Sequence, residues 1–148
     1  MSRGTTYDHR MRIARLAIGA AALAGALAIT GCSSSSSSPE GGTYTTQVIT
    51  MDGAEQPLAL DGTLQVAFVD GGVSVNAGCN TLFGPADLSG GTIALTGELA
   101  STKMACAPEL MAQDDELAAF FSAGPAWTLD GEVLTLSGGT TTITLQGA

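Results

Sequence analysis

Leu64-Gln65-Val66-Ala67-Phe68-Val69-Asp70-Gly71-Gly72-Val73-Ser74-Val75-Asn76 carries the alternation that decides the fold. Leu64, Val66 and Phe68 alternate with Gln65 and Ala67, so an extended chain here has one apolar face. Asp70-Gly71-Gly72 supplies residues suited to a tight turn, and Val73 and Val75 then resume the period of two. The stretch reads as a β-hairpin with one buried face.

The same grammar recurs toward the carboxyl end. Trp127 and Leu129 lead through Asp130-Gly131 into Leu134 and Leu136, a second hairpin. Ser137-Gly138-Gly139 precedes a last strand, Thr140 to Gln146, with Ile143 and Leu145 inward and threonines outward. Ile93 and Leu95 make a short strand after Ser89-Gly90-Gly91, and Tyr44 to Thr50 reads as the first strand. The stretch from Val73 to Cys106 reads as a turn-rich path that its two cysteines, Cys79 and Cys106, could staple. One segment departs from period two. From Pro108 to Ala123, Leu110, Leu117 and Phe121 recur at helical spacing, with Pro108 and Glu109 in the first turn and Gly124-Pro125 as the stop. Asp114, Asp115 and Glu116 are expected largely on its wet side. The fold class is α+β: an antiparallel, hairpin-rich sheet, partly closed and barrel-like, with one amphipathic helix packed on it.

Upstream, residues 1–31 read as an export signal. Arg10, Arg12 and Arg15 precede a fourteen-residue apolar or glycine run, Leu16 to Ile29, shorter than the roughly 20 residues a membrane-spanning helix needs. Ile29-Thr30-Gly31-Cys32 resembles the lipobox of bacterial lipoproteins. That resemblance implies a diacylglyceryl group on Cys32, which would become the first residue of the mature chain. Arg10-Met11-Arg12 is not a twin-arginine pair, so general secretion is expected. Residues 32–42, with six serines followed by Pro39-Glu40-Gly41-Gly42, read as a flexible spacer. The ordered domain is expected over 43–148.

Removal of the leader would change the charge sharply. His9, the single histidine, leaves with it, as do all four arginines. Lys103 then faces thirteen carboxylates, a net charge of −12. Such a surface is repelled by nucleic acid and by anionic headgroups, so nucleic-acid binding is excluded and membrane attachment falls to the lipid on Cys32. Without histidine, Ser-His-Asp and Cys-His nucleophile systems have no base, and histidine-dependent zinc motifs lose a ligand. No phosphate loop ends in Gly-Lys-Ser/Thr and no D-x-[DN]-x-[DN]-G calcium loop occurs. No cofactor is expected. Asp52, Asp61, Asp70 and Asp130 each precede a glycine, a turn signature that accounts for them without catalysis.

Cys79 and Cys106 are expected to pair, since two thiols in a small exported domain are more often bonded than free. Closing that loop would contribute about 3.5 kcal/mol. Two buried, unbonded thiols are the alternative, and a redox-active pair a third reading, with Cys106 close to a helix start. Lys103 either neutralises a neighbouring carboxylate or points to water.

Asn76-Ala77-Gly78-Cys79-Asn80, Phe83-Gly84, Ser101-Thr102-Lys103-Met104-Ala105-Cys106, the helix, and Trp127 to Leu136 together resemble the META domain family, which includes the heat-inducible HslJ lipoproteins of enteric bacteria. The resemblance covers nearly all of 43–148 and rests on Gly78, Cys79, Asn80, Gly84, Thr102, Met104 and Cys106. It implies a compact α+β domain on envelope or secreted proteins, linked in some members to heat shock, antibiotic tolerance or secretion-related traits. It carries over no catalytic residue. Two positions depart from the family pattern: Tyr44 stands where a tryptophan is frequent, and Asp114 where a glutamate is usual. Gly78 is expected to permit a sharp turn, and the Asn80 side chain to satisfy it.

The expected function is accordingly a lipid-anchored, monomeric binding or structural module of the cell envelope, with an envelope protein or a cationic ligand as partner. An envelope thiol-redox or carboxylate-dependent enzyme is the rival expectation, and an inhibitor or chaperone of an exported protein a third.

Overall fold

The computed structural model describes residues 37–148. The expected leader, Cys32 and most of the serine run lie outside the described residues. Strands β1 (Thr43–Met51) and β2 (Ala54–Glu55) are followed by a 3-10 turn at Ala59–Asp61. Strands β3 (Gln65–Val69), β4 (Gly72–Asn76), β5 (Thr81–Asp87), β6 (Ala94–Leu95) and β7 (Ala100–Ser101) come next. Helix α1 (Pro108–Ser122) precedes β8 (Ala126–Asp130), β9 (Val133–Gly138) and β10 (Thr141–Gly147).

Every pairing is antiparallel, in the order β6-β5-β4-β3-β1-β10-β9-β8, with β2 on β1 and β7 on β5. The sheet curls until its ends touch. Thr92 bridges Ala126, Ile93 N–H donates to the Pro125 carbonyl at 2.8 Å, and Trp127 N–H donates to Gly91 at 2.9 Å. The result is a half-barrel with one helix, the α+β class that the hairpin pattern predicts.

The alternation at Leu64–Val75 does what its chemistry requires. Asp70 and Gly71 both take positive φ (53° and 71°), the geometry of a two-residue turn whose twist matches the flanking strands. Val66 then faces Val75, and Phe68 faces Val73, all four buried. In the carboxyl-terminal hairpin Leu134 faces Leu145 and Leu136 faces Ile143, again all buried. These eight side chains line the concave side of the sheet, each contributing about 1.5–3 kcal/mol by leaving water.

Strand β5 corrects the turn-rich reading of Val73 to Cys106 in the middle of that stretch. From Thr81 the chain is extended, with Leu82 and Ala86 inward. Pro85 cannot donate, but its carbonyl still accepts from Thr96 N–H at 3.0 Å, which keeps it in the sheet. The start of the domain is also earlier than Thr43. Pro39 is fully buried, and Gly41 N–H donates to the Phe68 carbonyl at 2.7 Å, so residues 39–42 are packed against β3 before the first strand begins.

Helix α1 closes the barrel mouth with Leu117 and Phe121 in the core and Leu110 half-buried. Its remaining inward position is Asp114, only 6% exposed, the one member of an acidic triplet expected largely on the wet side that turns inward. Asp115 and Glu116 are exposed as expected. The reason is position: Asp114 lies four residues after Leu110 and three before Leu117, on the inward stripe itself.

Candidate functional site

A buried carboxylate must be met by donors, and Asp114 is met by Asn80. The Asn80 backbone N–H and side-chain Nδ2 both donate to Asp114 Oδ2, each at 3.0 Å. Asn80 Oδ1 accepts from Met104 N–H at 2.7 Å and from the Thr102 hydroxyl at 3.0 Å. Thr102 Oγ1 in turn accepts from Thr81 N–H at 3.0 Å. One asparagine, 4% exposed, therefore joins the start of β5, the segment after β7 and the middle of α1. The turn before it is satisfied differently from expectation. Asn76 Oδ1, not Asn80, accepts from Gly78 N–H, at 3.1 Å.

Gly78 has φ +105°, a conformation that penalises any residue with a Cβ. It delivers Cys79 to the disulfide with Cys106, the two Cα atoms 6.1 Å apart. Gln113, beside Asp114, donates from Nε2 to the Ala77 carbonyl at 3.0 Å and accepts from Ala59 N–H at 2.7 Å. Sequence reasoning missed both helix residues. The signal for Asp114 was its place on the apolar stripe; Gln113 had none.

Of the seven motif residues, six converge here: Gly78, Cys79, Asn80, Thr102, Met104 and Cys106. Gly84 stands apart on β5. A Cβ there would lie 3.0 Å from the Glu98 carbonyl oxygen and 3.4 Å from the Leu99 Cα, so glycine lets the chain at 98–99 cross directly over the strand. Lys103 is exposed, the outcome in which it points to water.

Beside the latch runs a groove of about 340 Å³, lined by Lys103, Met104, Met111, Asp115 and Ala118 over the Asn80–Asp114 pair. Met104 and Met111 are 59% and 38% exposed. Thioethers on a rigid backbone give an adaptable apolar contact surface. Among the described residues no three His, Cys, Asp or Glu side chains converge as a metal site. Elsewhere, burial raises the Tyr44 phenol above its ordinary pKa, and the Ser89 backbone N–H, helped by its side chain, lowers Asp87.

This architecture defines a class, the small α+β domain in which a curled antiparallel sheet is capped by one helix pinned through a disulfide and a buried amide. The chain belongs to the META domain family, which matches residues 39–148. Two solved structures share the fold. One, titled as the NMR structure of a protein from Burkholderia xenovorans, is 18% identical with a TM-score of 0.59, covering 74% of this chain and 83% of its own. The other, an NMR structure whose title states no source, is 23% identical with a TM-score of 0.54, covering 72% and 89%. No curated protein matches the chain.

Proposed function

We propose that this protein is a lipid-anchored, extracytoplasmic META-domain module that acts by binding, with no covalent chemistry of its own. The observation that carries this reading is the Asn80 corner: its donors and acceptors are engaged by Thr102, Met104 and Asp114. The polar side chains that define the motif, Asn80 and Thr102, spend their hydrogen bonds on holding the fold together. Anchoring is supported by the basic flank, short apolar run and small residues before Cys32. The partner is a cationic or envelope-protein surface, because thirteen carboxylates face one lysine downstream of Cys32. Like charge of that size also favours a monomer and repels nucleic acid.

Intact-mass measurement on protein extracted from native membranes tests both halves. The reading expects a chain beginning at an acylated Cys32, with neither Cys79 nor Cys106 alkylated after denaturation without reductant. A chain retaining residues 1–31, or a bare Cys32, would remove the anchor. A Cys79–Cys106 pair that cycles rapidly between thiol and disulfide in the folded protein would restore the thiol-redox enzyme instead.

A further inference from the structure

The half-barrel is not sealed along its whole seam, and the register of β8 says what the opening exposes. Gly131 and Glu132 form a two-residue turn, which makes Asp130 and Val133 a pair that exchanges hydrogen bonds. Exchange then recurs at Thr128/Thr135 and Ala126/Ser137, while Trp127 and Leu129 turn their backbone groups to the outer edge. The Trp127 N–H uses that direction, donating to Gly91. Beyond it the seam parts. Among the described residues, nothing pairs with the Trp127 carbonyl or with the N–H and carbonyl of Leu129.

A groove of about 460 Å³ lies along this edge, walled by Leu88, Trp127 and Leu129 on the apolar side and by Ser38 and Ser89 on the polar side. The Trp127 indole N–H is fixed to the Leu88 carbonyl at 3.1 Å, so the apolar wall is set in advance. The rim is acidic. Asp130 follows Leu129 at the end of β8, and Asp87 precedes Leu88 and accepts from Ser89 N–H at 2.8 Å. Lys103, the only basic residue within 37–148, lines the other groove.

From this geometry we propose that the open edge of β8 is a strand-addition site for an extended, basic peptide segment of a partner protein. Its backbone would bond to Leu129 and the Trp127 carbonyl; alternate apolar side chains would lie against Trp127 and Leu129, and lysine or arginine would meet Asp87 and Asp130. An unpaired edge bonds most readily to another extended chain, and the acidic rim selects its charge. A second copy of this domain is disfavoured because both partners would carry −12 over residues 37–148. This inference deepens the binding reading but does not depend on lipidation of Cys32.

The test uses the full processed chain and a synthetic peptide of alternating lysine and valine, read by Trp127 emission and by amide hydrogen exchange. The chain has one tryptophan, so the emission reports this groove alone. Saturable binding should slow exchange of the Leu129 amide by about ten-fold or more. It should weaken as salt shortens the Debye length from about 10 Å at 0.1 M to about 3 Å at 1 M. A second peptide, N-methylated at alternate valines, keeps charge and apolar content but cannot pair; its affinity should fall by about ten-fold or more. Equal binding of the two peptides, or no change at the Leu129 amide, overturns strand addition while leaving a charge-driven binding module standing. A Leu129 amide already protected in the free chain, or protected in proportion to protein concentration, also overturns it, by showing the edge filled by the chain itself or by a second copy.

Discussion

The Asn80 corner and the β8 edge lie in the same domain and treat polar groups in opposite ways. At the corner, Asn80 meets Asp114, Thr102 and Met104, and a disulfide sits beside them. At the edge, Leu129 offers backbone groups that nothing else among the described residues takes up. Satisfied polar groups in a buried place specify a structure, whereas unsatisfied ones in an accessible place are offers to a ligand. Residues that mark a family can therefore belong to the part that folds, while an open edge carries no signature beyond the backbone.

That contrast breaks first at the disulfide. Replacing both cysteines, Cys79→Ala with Cys106→Ala, should cost about 3.5 kcal/mol in denaturant unfolding. Asp114→Ala comes next, removing the acceptor of the Asn80 N–H and of one Nδ2 hydrogen in a buried site, at about 2–3 kcal/mol by the same measurement. Asp114→Asn keeps an acceptor and should lose less than half as much; equal losses would mean that Asp114 acts only by filling space. Gly78→Ala forces a Cβ onto φ +105° and should cost about 1–3 kcal/mol. On the open side, Thr128→Ala at the exposed face of β8 should change stability by no more than about 0.5 kcal/mol. A larger loss would mean the edge is already covered.

The core supplies a titration that leaves both regions untouched. Tyr44 is buried against Phe68, ring centroids 6.2 Å apart, and burial raises its pKa above the ordinary 10.0. The unfolded chain therefore loses this proton first. Its contribution to stability is complete below pH 10.0 and is lost as pH climbs toward the folded value. Ultraviolet titration of the processed chain, whose one tyrosine is Tyr44, should show the phenolate forming at higher pH when folded than in denaturant, and identical curves would contradict the burial.

Much of the sheet was legible because alternation and turn chemistry are local. Val66, Phe68, Val73 and Val75 announce their own face, and Asp70-Gly71 announces the turn. Strand β5 was not legible, since Gly84-Pro85 in its middle argues against a strand unless the neighbours at Thr96 and Glu98 are known. The motif residues could be named but not explained. Asn80 was expected to serve its own turn, and only the three-dimensional approach of residues 102–104 and Asp114 gives it its partners. Asp114 itself was misread as solvated because its charge outweighed its place on the stripe. Gln113 and the β8 edge gave no compositional sign, as they depend on which elements meet.

Pro39 and Gly41, already folded against β3, shorten the tether. Under the proposed anchoring, seven residues, Cys32 to Ser38, form the leash between the lipid and this packed segment. At full stretch they span about 25 Å, so a domain moored at Cys32 would patrol a thin layer next to its bilayer. Ser38, on the wall of the β8 groove, is where that leash ends. If Cys32 is lipidated as proposed, a peptide taken up there is caught within that thin layer, close to the lipid.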